Sequence, residues 1–351
     1  MANLAQAIRM ALHYGEEHLG VTDVFGEDVG APLGGVFTVT QGLRTAWNTP
    51  LDERGIVGTA MGLAMAGQKP VAEIQFVDYI FNTIDLLKLA GNTHWATNGD
   101  WNLPMVLMTP VGSGIRGSIY HSHSFDAMAT HLPGWKVVIP SNPKDGYGLM
   151  LAALKEKDPV MVLIPKALMR VRGKELIPGE PADPRELSKR IDAPLGDRST
   201  WQPQWPALEE FVVPICKGAV VREGRDLTVV SYGRTLPLCA QAAQELAPQG
   251  IDAEVIDLRS LVPYDWELVK ASVKKTGKVL YVNEDTEVTN FGEHLVRRTV
   301  DELFFELLAP PKLVAGKNVP GVGLADALEA ASVPQPNDIV KAIRELHALR
   351  P

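Results

Sequence analysis

Strand-length apolar runs alternate with helix-length patterns along most of this chain, and the alternation stops once and then restarts. "VTDVFGEDV", "PVAEIQF", "PMVLMTPV", "KVVIP" and "PVMVLIP" read as strands. Their Val, Ile and Leu run almost continuously instead of alternating with polar residues, as in strands covered on both faces of a parallel sheet. "GIVGTAMGLAMAG", "DYIFNTIDLLKLAGNTH" and "PKDGYGLMLAALKEK" read as helices among them, the first of small residues suited to close packing. The N-terminal "MANLAQAIRMALHYGEEHLG" has helical spacing, acidic residues and no continuous apolar core. It reads as an amphipathic first helix and not as a targeting peptide.

From about 171 to 222 the pattern lapses into a stretch rich in proline and charge, with Trp201 and Trp205 inside it. After it come strands in "DLTVVSYG", "DAEVIDLRSL" and "KVLYVNED". Helices are expected in "TLPLCAQAAQELAPQG", "DWELVKASVKKTG" and "GEHLVRRTVDELFFELL". The chain therefore reads as α/β in two domains, 1–175 and 223–351, joined by a linker or extended arm over 176–222.

A formal charge of −8 argues against nucleic acid or an anionic membrane as the main partner. No apolar stretch approaches the ~20 residues that span a bilayer. The chain has 2 cysteines, Cys216 and Cys239, each in apolar company, which fits reduced thiols and a cytoplasmic setting.

Three stretches carry candidate chemistry. "GSGIRG", residues 112–117, fits the dinucleotide pattern G-x-G-x-x-G, but "SIYHSHS" follows where an apolar helix should open, so its glycines read as loop permissiveness. His121, His123 and Asp126 nearly make a two-histidine, one-carboxylate metal set, so a metal-dependent hydrolase is one reading; imidazoles beside a glycine-rich loop also suit proton transfer. In "TPLDERGIVGTAMG", Asp52 and Glu53 precede a buried-looking helix. Both cannot occupy one helix cap, so one carboxyl is left for another task.

Taken together, "VFGEDVG…GGVFTVTQGL", "TPLDERGIVGTAMGLAMAGQKPVAEIQFVDYIF", "HSHSFDAMATHLPGWKVVIPSNPKD" and "DPVMVLIPK" resemble, in this order, the β subunits of the thiamine-diphosphate-dependent decarboxylase component of 2-oxo acid dehydrogenase complexes, of the pyruvate, branched-chain and acetoin types. "VVSYGRTLPLCAQAAQEL", "IDAEVIDLRSLVPYD" and "SVKKTGKVLYVNED" continue the resemblance. It implies an N-terminal pyrimidine-binding domain with a parallel sheet and a C-terminal transketolase-like α/β domain. It also implies thiamine diphosphate at an interface with an α subunit that holds the diphosphate and Mg²⁺, an α₂β₂ assembly, a small 2-oxo acid substrate and a lipoyl-bearing acyltransferase partner. On this resemblance Glu53 takes the place of the glutamate at the pyrimidine N1′, and Tyr79 that of the aromatic stacked on the ring. Gln75 and Leu51 fall on positions lining the same pocket, Glu27 on an acidic position nearby, and His121 on the catalytic histidine. A non-catalytic scaffold relative is the rival within the fold. The chain departs from the pattern at His123, where glutamine is usual, at Asn48, where aspartate is usual, and in a shortened loop before Glu53.

Overall fold

A computed structural model describes residues 1–350 apart from Ser199, in two compact units: Met1–Pro110 with His131–Ile215, and Val111–Thr130 with the chain from Cys216 onward.

In the first unit, α1 (Leu4–Tyr14) opens on a reciprocal cap between Asn3 and Gln6. Strands β1 (Asp23–Gly26) and β2 (Ala46–Asn48) follow, then α2 (Glu53–Met65) and β3 (Pro70–Glu73). Next come α3 (Ile84–Ala96), β4 (Val106–Val111) and, past the second unit's short helix α4 (Asp126–Thr130), β5 (Lys136–Val138). Helix α5 (Pro143–Lys155) and β6 (Val160–Pro165) complete the alternation. The strands lie in the order β5-β6-β4-β3-β1-β2. β1 runs parallel to β2 and β3, β3 to β4, and β5 to β6. β4 and β6 are buried at every residue, as their unbroken apolar runs require. β2 was not legible: "AWN" is too short to signal a strand, and pairing with β1 makes it one.

The first helix is covered on both faces: every residue from Leu4 to Leu12 is buried, Gln6 and Arg9 included. It packs on α5, where Gly146 allows the approach; a Cβ there would meet Leu4 Cδ1 at 2.5 Å. The polar face is covered by the stretch expected to be a linker or extended arm. There α6 (Pro184–Ile191), capped by Asp183, buries Leu187 and Ile191 in the first unit's core. Arg9 pairs with Asp192, and Gln6 donates to Ser188 and Asp192. Trp205 stacks on His13 with ring centroids 4.1 Å apart. Up to Ile215 this segment is a clamp on the first unit, with Trp205 packed against its core.

The second unit contains β7 (Ala219–Arg222), β8 (Leu227–Ser231), α7 (Thr235–Leu246), β9 (Ala253–Asp257), β10 (Ser260–Val262) and α8 (Trp266–Thr276). It ends with β11 (Val279–Thr286), α9 (Phe291–Leu303), β12 (Lys312–Gly316), α10 (Asp326–Ser332) and α11 (Pro336–Ala348). The sheet order is β12-β11-β8-β9-β7, parallel except for the antiparallel edge strand β7. Leu227 and Val229 of β8 pack with α7 and α11, while Thr228 between them turns the other way and its hydroxyl meets Ser272 of α8 at 2.6 Å. Successive side chains on a strand point to opposite faces, so helices cover both. Among the described residues no helix is long and apolar enough to cross a membrane.

Candidate active site

Parallel strands present their carboxyl ends along one edge, the usual place for a site in such a sheet. In the first unit that edge carries acid. β1 ends at Gly26 and leads into Glu27 and Asp28, and its neighbour β3 ends on Glu73. Gly26 permits this closeness, because a Cβ there would meet the Glu73 carbonyl oxygen at 2.6 Å. α2 begins with Glu53, and Asp52 occupies the cap by accepting from the Gly55 amide at 3.0 Å. The cap is thus satisfied by Asp52, and Glu53, only 8% exposed, is left for other partners.

Those partners are few. Asn82 Nδ2 donates to Glu53 Oε2 at 3.1 Å, and the Glu53 carboxyl lies against that of Glu27. Gln75 donates to Asp28, and Glu73 is wholly buried. Among the described residues none of these four carboxyls forms an ion pair with lysine, arginine or histidine. A negative cluster without a counter-charge relieves itself by taking up protons. Burial, then the charges of Glu53 and Asp28, push the Glu27 carboxyl up to about 7. Burial, then Asp28 and Glu27, push Glu73 to about 8. Glu27 Oε1 is buried with no hydrogen-bond partner among the described residues. Tyr79 lies on the 3₁₀ segment Val77–Thr83, set edge-on to Phe76 at 6.1 Å, and burial, then the charges of Asp78, Glu27 and Glu53, raise its hydroxyl above the usual tyrosine range. The structure thus brings together Glu27, Glu53, Gln75 and Tyr79, whereas Leu51 stands 80% exposed ahead of the helix. Sequence reasoning missed Asp28, Glu73 and Asn82 as members. A lone acid inside the apolar run "PVAEIQF" was the available signal for Glu73; Asn82 gave none.

The second unit carries the histidine loop. Gly112 and Gly114 have φ of 80° and 102°, and Arg116 and Ser118, which are not glycines, have φ of 57° and 55°. Each such non-glycine residue costs about 1 kcal/mol or more and persists only where its surroundings impose it. His121 Nδ1 lies 3.3 Å from the Gly117 carbonyl oxygen, and the His123 carbonyl accepts from the Gly112 amide at 2.7 Å. Asp126 is turned away into the unit. Its carboxylate accepts from the Tyr232 hydroxyl at 2.6 Å, and Asp285 lies against it. Burial, then the Asp285 charge, hold the Asp126 carboxyl well above the usual carboxylate range. His121, His123 and Asp126 therefore form no metal set, and among the described residues no group of three or more His, Cys, Asp or Glu side chains is placed to hold an ion. Tyr232, Glu284, Asp285 and Glu329 around this loop lie more than 100 residues from it and left no mark that sequence reading could use.

Residues 2–172 match the transketolase pyrimidine binding domain, and residues 216–339 match the transketolase C-terminal domain. The chain is 36% identical over 348 residues to the β subunit of 2-oxoisovalerate dehydrogenase from Bacillus subtilis (strain 168), covering 97% of each. It is 38% identical to the corresponding subunit of Pseudomonas aeruginosa, covering 90% of this chain and 87% of that one. Against the pyruvate dehydrogenase E1 component subunit β of Acholeplasma laidlawii the identity is 36%, covering 99% and 98%. A solved structure described as a split-gene transketolase in an inactive β4 tetramer has the same fold, with a TM-score of 0.73 at 20% identity and both chains covered in full. With matches of this length at this identity, the chain belongs to the transketolase-like family of 2-oxo acid dehydrogenase E1 β subunits.

Proposed function

We propose that this chain is the β half of a 2-oxo acid decarboxylase that works with an α subunit in an α₂β₂ assembly, taking pyruvate or a branched-chain 2-oxo acid and passing the acyl group to a lipoyl-bearing acyltransferase. The observation that carries the reading is the Glu27–Glu53 pair, two adjacent carboxyls among acids with no counter-charge, one of them raised to about 7. Such a pair holds a proton near neutral pH and can give it to, or take it from, a ring nitrogen. The unpartnered Glu27 Oε1 adds an acceptor for an amino group, so the residues fit an aminopyrimidine. Thiamine diphosphate, with its Mg²⁺ held by the α subunit, supplies when bound the electron sink for decarboxylation.

This chain's work is to hold the pyrimidine and manage one proton. Glu53 presents its carboxyl to N1′ and Glu27 shares that proton. Tyr79 covers a face of the ring, and Gln75 and Leu51 border it. His121, an imidazole on a separate loop, serves the substrate oxygen and the incoming lipoyl group as proton donor or acceptor. The scaffold reading would leave Glu53 and His121 without work.

The test is co-expression with an α-type partner, followed by thiamine-dependent CO₂ release from pyruvate and from branched 2-oxo acids. Glu53→Gln should lower release by roughly a hundredfold or more while the assembly still forms. Full activity would remove the assigned role. His121→Ala should slow acyl transfer to lipoyl groups by roughly tenfold or more; wild-type transfer rates would remove its role.

A further inference from the structure

The loop that carries His121 is held by more than its own bonds. Two glycines and two non-glycine residues in it have positive φ, and its side chains at Ile119 and Tyr120 are largely exposed. Its backbone is instead gripped by acids from the far end of the chain. Glu329 of α10 accepts from the Gly114 amide at 3.1 Å through Oε1 and from the Arg116 amide at 3.0 Å through Oε2. Asp326, one turn earlier on the same helix, pairs with the Arg116 guanidinium. Glu284, at the end of β11, accepts from the Ser113 amide at 3.3 Å and its hydroxyl at 3.1 Å. Beyond Arg116 the path to the histidine is short and stiff. Gly117 is pressed so closely on residue 121 that a Cβ would meet His121 Cβ and its carbonyl oxygen at 2.6 Å, and His121 Nδ1 lies at the Gly117 carbonyl.

We infer that Glu329 is a positioning residue: by binding the Gly114 and Arg116 amides with one carboxylate it fixes the turn on which His121 stands, an inference that rests on the catalytic reading of His121. A carboxylate accepting two backbone N–H bonds is a charge-assisted, two-point grip that a neutral side chain reproduces only in part. Glu329 is half-exposed and no residue of α10 is buried, so removing its carboxylate frees the loop without opening the core.

The experiment has two arms. In the chain itself, amide hydrogen exchange of residues 113–118 is compared between wild type, Glu329→Gln and Glu329→Ala. Exchange should rise by about tenfold in Glu329→Ala and by less in Glu329→Gln, which keeps one acceptor, with β8 and β11 unchanged. Unchanged exchange in the loop would overturn the grip. In the assembly with its α partner, Glu329→Ala should lower kcat for acyl transfer by about tenfold with KM for the 2-oxo acid unchanged, and should add nothing to His121→Ala. Additive losses, or wild-type kcat in Glu329→Ala, would overturn the inference while leaving His121 in place. Wild-type turnover in His121→Ala would instead remove the reading beneath it, and the inference with it.

Discussion

Glu53 stands on the first turn of a helix, beside Asn82 and Glu27, whereas His121 stands on a loop with four positive-φ residues between 112 and 118. The acid cluster is placed by backbone. Gly26 lets β1 come against the Glu73 carbonyl, and Asp52 takes the cap so that Glu53 need not. The loop is placed by side chains: the carboxylates of Glu284 and Glu329 hold its amides, and Tyr232 and Asp285 hold Asp126 at its far end. Regular elements fix a group through many cooperative bonds, while a loop fixed by a few charged contacts can be released by losing one. The two regions therefore differ in what should break them.

The largest expected effect is on the acid cluster, through pH. Glu73 is raised to about 8 in the folded chain, above its unfolded value, so its contribution to stability is full below the unfolded value and is lost as pH rises through about 8. Denaturant unfolding of wild type should lose on the order of 4 kcal/mol from this group between about pH 5 and pH 9. Glu73→Gln, neutral throughout, should lack that decline; parallel pH curves for the two proteins would contradict the assignment. Gly26→Ala comes next. Its Cβ would strike backbone at 2.6 Å, which neither strand can yield, at a cost of about 2–3 kcal/mol in chemical denaturation. Gly112→Ala should cost less, about 1–2 kcal/mol, although its Cβ would lie 2.0 Å from Glu284 Oε1. There the obstacle is the end of a flexible side chain, and the remaining penalty is a φ of 80°. If Gly112→Ala proved the more damaging of the two, the contrast between backbone-held and side-chain-held regions would fail.

What the sequence made legible follows the same division. The buried runs in "PMVLMTPV" and "PVMVLIP" announced central strands, and two adjacent acids ahead of a small-residue helix announced one spare carboxyl. These signals are local, because backbone hydrogen bonding and caps are decided within a few residues. Asp126 looked like a metal ligand beside His121 and His123, since nothing nearby reveals that Tyr232 and Asp285 claim its carboxylate. The first helix is amphipathic as it reads, with Gln6 and Arg9 on one side of it, but what covers that side was not legible, since their partners Ser188 and Asp192 are about 180 residues away. The arm at 176–222 read only as a linker or extended arm for the same reason: its composition is that of a surface, and only the packing of Leu187, Ile191 and Trp205 shows what it covers. Contacts between distant segments write no period into a sequence.

Carboxyl carbon NMR of the chain, with Glu27 and Glu73 assigned by the Glu27→Gln and Glu73→Gln variants, tests the central claim most directly. The claim is that uncompensated acids at the edge of the first sheet hold protons at neutral pH. Two glutamates should titrate near 7 and near 8, and each should vanish in its own variant. Titration of both in the ordinary glutamate range, about 4 to 5, would contradict it.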